Sequence, residues 1–416
     1  MEVYKFGGAS VKNAEAVKRI PEIISETQAP LVMVVSAMDK TTNALEEIVR
    51  DFADGDISGA QKRTGELFSF HEAVISDLMP EVDANRLLGK WFDFDSLPVE
   101  DNISYDRLYD MIVPAGELAS TTIVAHYLER CGFNVAWHDI RKSLVTDSNF
   151  REAEVLFERS ERLCKEAFAD DTVIHVTQGF IGASEEGLPT TLGREGSDYT
   201  AALLASFLGA GRVVLWKDVP GIFNCDPHRF QRAVPIPHLS CHEAIEMTFY
   251  GAKVIHPRTI HPLFVRDIPL EVRSFNNPSL PGTTVYGSKP GTDGLQITIR
   301  LDDQLLISVA HPGLEFISET DLEFIFGVLR SFRVKVNLLQ HEPTGFSICI
   351  DSPRGSNPEE LIASLQKRFR VHYNDRLVLY TVRNYNKELL ESLTGDSKVL
   401  LEQRTRNITR LVLRED

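Results

Sequence analysis

Two lysines, an aspartate and several glycine turns, scattered along the first part of the chain, have the types needed to hold a phosphate. The first group is Lys5-Phe6-Gly7-Gly8-Ala9-Ser10. Glu2 to Phe6 reads as a strand, and a helical run from Val11 to Ile20 follows the glycines. A strand that turns through glycines into a helix presents bare backbone N–H groups and the positive end of a helix dipole, which suits an anion. Lys5 adds a full charge beside it. The same residues also fit a tight turn with an exposed lysine, so the later stretches have to decide.

Thr190 to Thr200 carries Gly193, Arg194, Glu195, Gly196, Ser197 and Asp198 and leads into the alanine-rich run Ala201–Ala205. Arg194 has the fork that grips a carboxylate. Ser197 and Asp198 read as helix caps, or Asp198 orients nearby lysines by charge pairing; the sequence leaves both open. Trp216-Lys217-Asp218-Val219-Pro220-Gly221-Ile222-Phe223-Asn224-Cys225-Asp226-Pro227 leaves an apolar strand. Loops at the C-terminal ends of parallel strands are where α/β proteins place ligands, although two turns on a surface loop read the same way. Phe249 to Ile260 contributes a second lysine, Lys253, next to the small residues Gly251 and Ala252. His256 reads as a structural histidine, since no second histidine stands at i+3 or i+4 on a helix to share a zinc ion. Val113 to Ser120 offers Glu117, either a first-turn acid that suits the helix dipole or a ligand for a substrate amine. Neither a Gly-x-x-x-x-Gly-Lys-Ser/Thr loop nor a Gly-x-Ser-x-Gly elbow is present, which disfavours a P-loop nucleotidase and an α/β-hydrolase.

The elements that must position these residues alternate. Leu31–Val35, Asn134–Trp137, Thr172–Val176 and Val213–Trp216 read as short apolar strands, and residues 60–130 as mostly helical, punctuated by Pro80, Pro98 and Pro114. This pattern predicts a largely parallel sheet covered on both faces. A polar glycine-rich linker is expected over 287–294. Beyond it lie two weakly similar βαββ series: strand 305–309, helix 321–330, strands 334–339 and 345–351, helix 358–369; then strand 376–380, helix 387–394, strands 399–403 and 408–413. The net charge of −16 argues against non-specific binding of nucleic acid or anionic membranes. Five widely spaced cysteines, the lack of a signal-like N-terminus and the absence of a membrane-length apolar run predict a cytoplasmic protein with reduced thiols.

The stretches Lys5–Ser10, Gly193–Asp198, Asp218–Pro227 and Gly251–Pro257, with Val35-Ser36-Ala37 and Gly116-Glu117-Leu118, occur in order and at spacings that resemble an aspartate kinase of the amino-acid kinase superfamily. The C-terminal βαββ series is similar, more loosely, to ACT regulatory domains. The resemblance implies an α/β amino-acid kinase fold over 1–288, its amino-acid part at about 1–190 and its nucleotide part at about 191–288. It implies an α+β ferredoxin-like ACT domain over 298–375, and a second over 376–416 that is short of a final helix and strand. The implied activity is transfer of the ATP γ-phosphoryl group to the side-chain carboxylate of L-aspartate, with Mg²⁺, as the first step of lysine, threonine and methionine biosynthesis.

Carried onto this sequence, the resemblance implies that Lys5 and Lys253 contact phosphate and that Asp198 organises them. Arg194 and Glu117 would hold the α-carboxylate and α-amino groups of aspartate. Ser36, Thr42, Asn43 and Ser197 would line the amino-acid pocket. Gly7, Gly8, Lys217, Asp218, Phe223, Asp226, Pro227 and Arg229 would join the lysines on the nucleotide side. It further implies a homodimer through the ACT domains and an amino-acid effector there. The chain departs from the family pattern at Ala9, usually Thr, and at Glu195, usually Gly. Lys217 stands where many relatives have Thr, and Phe223 where many have Tyr. The first ACT helix begins Glu319-Thr320-Asp321-Leu322, without the small, glycine-containing start of effector-binding relatives. Other readings at this stage are a kinase of another amino acid and an ACT-based amino-acid sensor without turnover.

Overall fold

The computed structural model describes residues 1–27, 30–94, 96–97, 103–252, 255–287, 294–313, 315–353 and 358–415. They divide into two compact bodies. The first holds residues 1–222, 235–245 and 255–287; the second holds 223–234, 246–252 and the chain from 294 onward.

The first body is built on an eight-stranded sheet. Its order is Val135–His138, Ile174–Gln178, Leu31–Val35, Glu2–Phe6, Arg212–Lys217, Leu270–Ser274, Thr283–Tyr286 and His238–Ser240. The first six strands run parallel to their neighbours, as the alternating pattern predicts. Leu31–Val35 is buried along its whole length because helices cover both faces. Trp216 packs edge-on to Tyr4 and stacks near Phe6, fixing the two central strands side by side. Two largely buried helices lie against this sheet, Ala115–Arg130 and the alanine-rich Gly196–Leu208. Phe6 pairs with both Val35 and Trp216, so Gly7, Ser36 and Lys217 all leave the sheet at one edge, the C-terminal one. The helix expected over 11–20 is broken. A short 3₁₀ turn, Gly8–Val11, precedes helices Ala14–Val17 and Ile20–Ser25, because Asn13 caps a new start by accepting the Ala16 N–H at 2.9 Å.

Gly179, at the same sheet edge, shows how tightly this region is packed. A Cβ there would lie 2.5 Å from Ser197 Cβ and 2.6 Å from its Cα. Gly179→Ala is therefore expected to cost about 2–3 kcal/mol through overpacking, read as a lowered denaturation midpoint.

The second body contains a six-stranded antiparallel sheet in the order 336–342, 345–351, 297–310, 370–383, 408–414, 398–404. Helices Glu319–Ser331 and Pro358–Gln366 pack on one half of it. Helix Lys387–Thr394 packs on the other half. The division expected at 375/376 falls inside the long strand 370–383, which pairs along its length with 297–310. Residues 297–301 pair with 379–383, while 304–310 pair with 370–377. Irregular pairing between Leu301 and Leu306 lets one long strand serve both halves. The linker expected over 287–294 lies mostly outside the described residues.

Residues 223–234 belong to this second body, not to the first. Asn224 donates through Nδ2 to the Gln296 carbonyl (3.1 Å), and its own carbonyl accepts the Thr298 N–H (2.8 Å). Phe230 packs against Tyr380, and Arg229 pairs with Asp302 at 2.6 Å. Among the described residues, no helix is long and apolar enough to cross a membrane. All five cysteines are free.

Candidate active site

At the C-terminal edge of the parallel strands one carboxylate holds two ammonium groups. Lys5, on the end of its strand, places Nζ 2.7 Å from one oxygen of Asp198. Lys217, at the end of the neighbouring strand, places Nζ 3.1 Å from the other. Asp198 comes from the first turn of helix Gly196–Leu208, where the helix dipole also favours a negative charge. Its side chain is only 5% exposed. Burial by itself would raise its pKa, but the two lysines outweigh that and hold it at about 2. Lys217 shows the converse: burial would lower its pKa, and the charge of Asp198 raises it above the usual lysine value. Lys217 thus stays charged beside a carboxylate that stays ionised. One net positive charge remains for an incoming anion.

The glycines before this cluster have a steric reason. A Cβ on Gly8 would come within 2.9 Å of the Ala37 carbonyl oxygen, and one on Gly7 would sit 3.4 Å from Lys5 Nζ. Glycine at position 8 lets the backbone close in, while a Cβ at position 7 would lie in ordinary contact with the largely buried ammonium.

Glu117 stands in the first turn of helix Ala115–Arg130, 3% exposed. Its Oε1 accepts the Ala37 N–H at 3.3 Å, and its Oε2 is buried with no hydrogen-bond partner among the described residues. Burial pushes its pKa up to about 8, against the opposing pull of the Ala37 N–H and the Lys5 charge. The helix that carries it is locked down. Ser120 Oγ donates to the Ser36 carbonyl at 2.7 Å, and a Cβ on Gly116 would meet Thr41, Ala37 and Leu45. A buried carboxyl lacking a partner is costly unless something arrives to pair with it.

The structure thus brings Lys5, Gly7, Gly8, Ser36, Lys217, Asp198 and Ser197 to one edge, with Glu117 held against Ala37 there. Arg194 is exposed on the adjoining Gly193–Ser197 turn, with no hydrogen-bond or ion-pair partner among the described residues. Asp218 is exposed just beyond Lys217. Phe223, Asp226, Pro227 and Arg229 lie in the second body, half-buried in the first case and exposed in the others. Lys253 lies outside the described residues. The lysine seen beside Lys5 on Asp198 is Lys217.

Sequence reasoning missed two residues. Thr42 and Asn43, named for the amino-acid pocket, are half-buried and exposed, whereas Thr41 is buried and its Oγ1 has no hydrogen-bond partner among the described residues. Helix Thr41–Ala53 buries Thr41, Leu45, Ile48 and Val49, so the i, i+4 spacing from Leu45 was the available signal. The second is Asp110, fully buried. It accepts the N–H groups of Arg151 (2.9 Å) and Thr191 (3.0 Å) and the Thr191 hydroxyl (2.7 Å), bracing the strand that leads to Gly193. Burial pushes its pKa up to about 6. No sequence signal separates it from a surface acid.

A dedicated metal cage is not built here. Among the described residues no three His, Cys, Asp or Glu side chains converge, and both oxygens of Asp198 are taken by lysines.

The family model of the amino acid kinase family matches residues 1–274. The chain is 30% identical over 94% of its length to a carrot chloroplastic bifunctional aspartokinase/homoserine dehydrogenase, and spans 44% of that protein. It is 30% identical to the lysine-sensitive aspartokinase 3 of Escherichia coli, over 91% of this chain and 85% of that one. Solved structures of E. coli aspartokinase III superpose on it. The complex with lysine and aspartate gives a TM-score of 0.83 at 28% identity, covering 99% of this chain and 95% of the other. The complex with aspartate and ADP gives 0.78 at 26%, covering 99% and 96%. The chain therefore belongs to the amino acid kinase family and, within it, groups with the aspartokinases. Its fold is the amino-acid kinase fold followed by ferredoxin-like ACT domains. It spans under half the length of the bifunctional relatives it matches.

Proposed function

We propose that this chain transfers the γ-phosphoryl group of ATP to the side-chain carboxylate of L-aspartate. The observation that carries the reading is the pair of ammonium groups, Lys5 and Lys217, held on the two oxygens of buried Asp198 at the sheet's C-terminal edge. The acceptor carboxylate has an ordinary pKa of about 4 and is already ionised at neutral pH, so no general base is required. The difficulty is the approach of one anion to a polyanion. Fixed cations and backbone N–H groups at the Gly7-Gly8 turn neutralise charge that moves toward the β–γ bridge. Asp198 keeps both lysines aimed without touching the phosphate itself. Lys253 is assigned to phosphate contact with them, and Mg²⁺ accompanies the nucleotide phosphates.

The amino acid is held at both ends. Arg194 takes the α-carboxylate and Glu117 takes the α-ammonium, with Ser36, Thr42, Asn43 and Ser197 around it. Asp218, Phe223, Asp226, Pro227 and Arg229 are assigned to the nucleotide. A partnerless buried carboxyl favours a free amine over an acetylated one. The E. coli enzyme solved with aspartate and ADP supports the substrate pair. The lysine complex of the same enzyme supports an amino-acid effector, which we assign to the ACT domains together with a homodimer contact. The free, mostly buried thiols fit a cytoplasmic setting.

ADP release measured with aspartate, glutamate, N-acetylglutamate and a nucleoside monophosphate in turn tests the reading. Turnover with aspartate alone is expected; turnover with an acetylated or nucleotide acceptor alone overturns it.

The raised pKa of Glu117 adds a second expectation. A carboxyl held neutral up to about pH 8 must lose its proton to pair with an ammonium. Aspartate binding should release a proton between pH 6 and 8, and affinity should rise with pH over that window. Calorimetry in buffers of different ionisation enthalpy reads the proton directly.

A further inference from the structure

Glu195 carries a charge beside an anion site and adopts a backbone conformation that favours glycine. Its φ is 55°, in the left-handed region, at the N-cap of helix Gly196–Leu208. That conformation is strained for a residue with a Cβ. Glycine would avoid the cost, so the side chain needs a reason to be there.

The side chain reaches out of the turn. Its Oε2 accepts the backbone N–H of His256 at 3.0 Å, and His256 is the N-cap of helix Pro257–Val265. A second tie joins the same two segments: Arg258 donates to the Leu192 carbonyl at 2.9 Å and stacks its guanidinium 4.8 Å from the Tyr199 ring centre. The backbone of Glu195 is committed as well, since its carbonyl accepts the Tyr199 N–H at 3.1 Å and starts the helix that carries Asp198. The negative charge is directed onto a peptide N–H. It still acts on Lys217, whose pKa it helps to raise.

We propose that Glu195 is a positioning residue for phosphoryl transfer. By bracing the first turn of helix Gly196–Leu208 against the start of helix Pro257–Val265, it fixes where Asp198 holds Lys5 and Lys217. Glu195 contacts no reacting atom. Its effect belongs in turnover and not in substrate affinity, because the two ammonium groups must match a migrating phosphate more closely than a bound one. The proposal rests on the phosphoryl-transfer reading above.

Two variants separate the brace from fold stability. Glu195→Gly accepts a φ of 55° without strain and removes the tie. Glu195→Gln keeps a carbonyl oxygen that can accept the His256 N–H. E195G is expected to melt within a few degrees of wild type, to lose about tenfold in kcat, and to hold its aspartate and ATP KM within about twofold. E195Q is expected to recover most of the lost kcat. Wild-type kcat in a folded E195G overturns the proposal, and so does an E195Q as slow as E195G, which would assign the effect to charge.

Should E195G melt early, the cycle with His256→Pro decides. The φ of −67° at His256 suits proline, which removes the N–H donor. Adding E195G to H256P should then cost no further kcat; an additive loss overturns the brace. A wild-type protein without aspartate-dependent ADP release would remove the phosphoryl-transfer reading itself, whereas an active wild type with an indifferent E195G removes only this proposal.

Discussion

Lys5→Ala is expected to lower kcat about 10²- to 10³-fold, a loss of roughly 2.7–4 kcal/mol of transition-state stabilisation, by analogy with removal of an oxyanion-hole donor. The ammonium is 2.7 Å from Asp198, and a shortened side chain cannot reach the same point. The ATP KM should change far less than kcat, because charge build-up at the β–γ bridge belongs to the transition state. Fold stability should fall only moderately, since Lys217 remains on the other oxygen of Asp198 at 3.1 Å. The Asp198 pKa should rise in the variant, because one of the two charges that depress it is gone. Lys5→Arg should not rescue, as a planar guanidinium does not fit the point-charge geometry of the pair. Steady-state kinetics over both substrates, with a melting curve on the same samples, checks all of this.

Glu117→Gln is expected to act on the other substrate. Loss of a buried charged partner for the α-ammonium should raise the aspartate KM about 10²-fold, near 3 kcal/mol, with a smaller change in kcat. The amide is neutral at every pH, so the rise in aspartate affinity between pH 6 and 8 should disappear with the proton release. Stability should move the opposite way. A carboxyl whose folded pKa is raised to about 8 destabilises the fold as pH climbs from its ordinary 4.5 through 8. The amide escapes that cost, so without substrate Glu117→Gln should gain on the wild type as pH rises across that range. A variant with unchanged aspartate dependence would make Glu117 a structural residue.

These residues differ in how openly the sequence displayed them. Lys5, Asp198 and Glu117 sit at glycine turns next to strand and helix starts, so local pattern alone marked them. The pairing of Lys217 with Asp198 depends on strand order. Strand Arg212–Lys217 must lie beside Glu2–Phe6 for its last residue to reach the helix that starts at Gly196, and no local signal specifies that neighbour. The burial of Thr41 was not legible from residue type, since it follows from the face that helix Thr41–Ala53 turns inward. The C-terminal sheet was legible as two βαββ series, since strand and helix periodicities are local. Sharing one long strand between them was not. It rests on irregular pairing between Leu301 and Leu306, where Asp302, Asp303 and Gln304 interrupt the apolar residues of the strand. Residues 223–234 likewise read as an appendage of the strand before them, whereas Asn224, Arg229 and Phe230 each find their partners beyond residue 294.

The most direct test is chemical trapping of the product. Incubated with L-aspartate, ATP, Mg²⁺ and hydroxylamine, the wild-type chain should yield aspartyl hydroxamate in step with ADP, and Lys5→Ala should yield it at least a hundredfold more slowly while still folded. Equal rates from the two proteins, or ADP without hydroxamate, would contradict the claim that cations aligned on Asp198 steer a phosphoryl group onto a carboxylate.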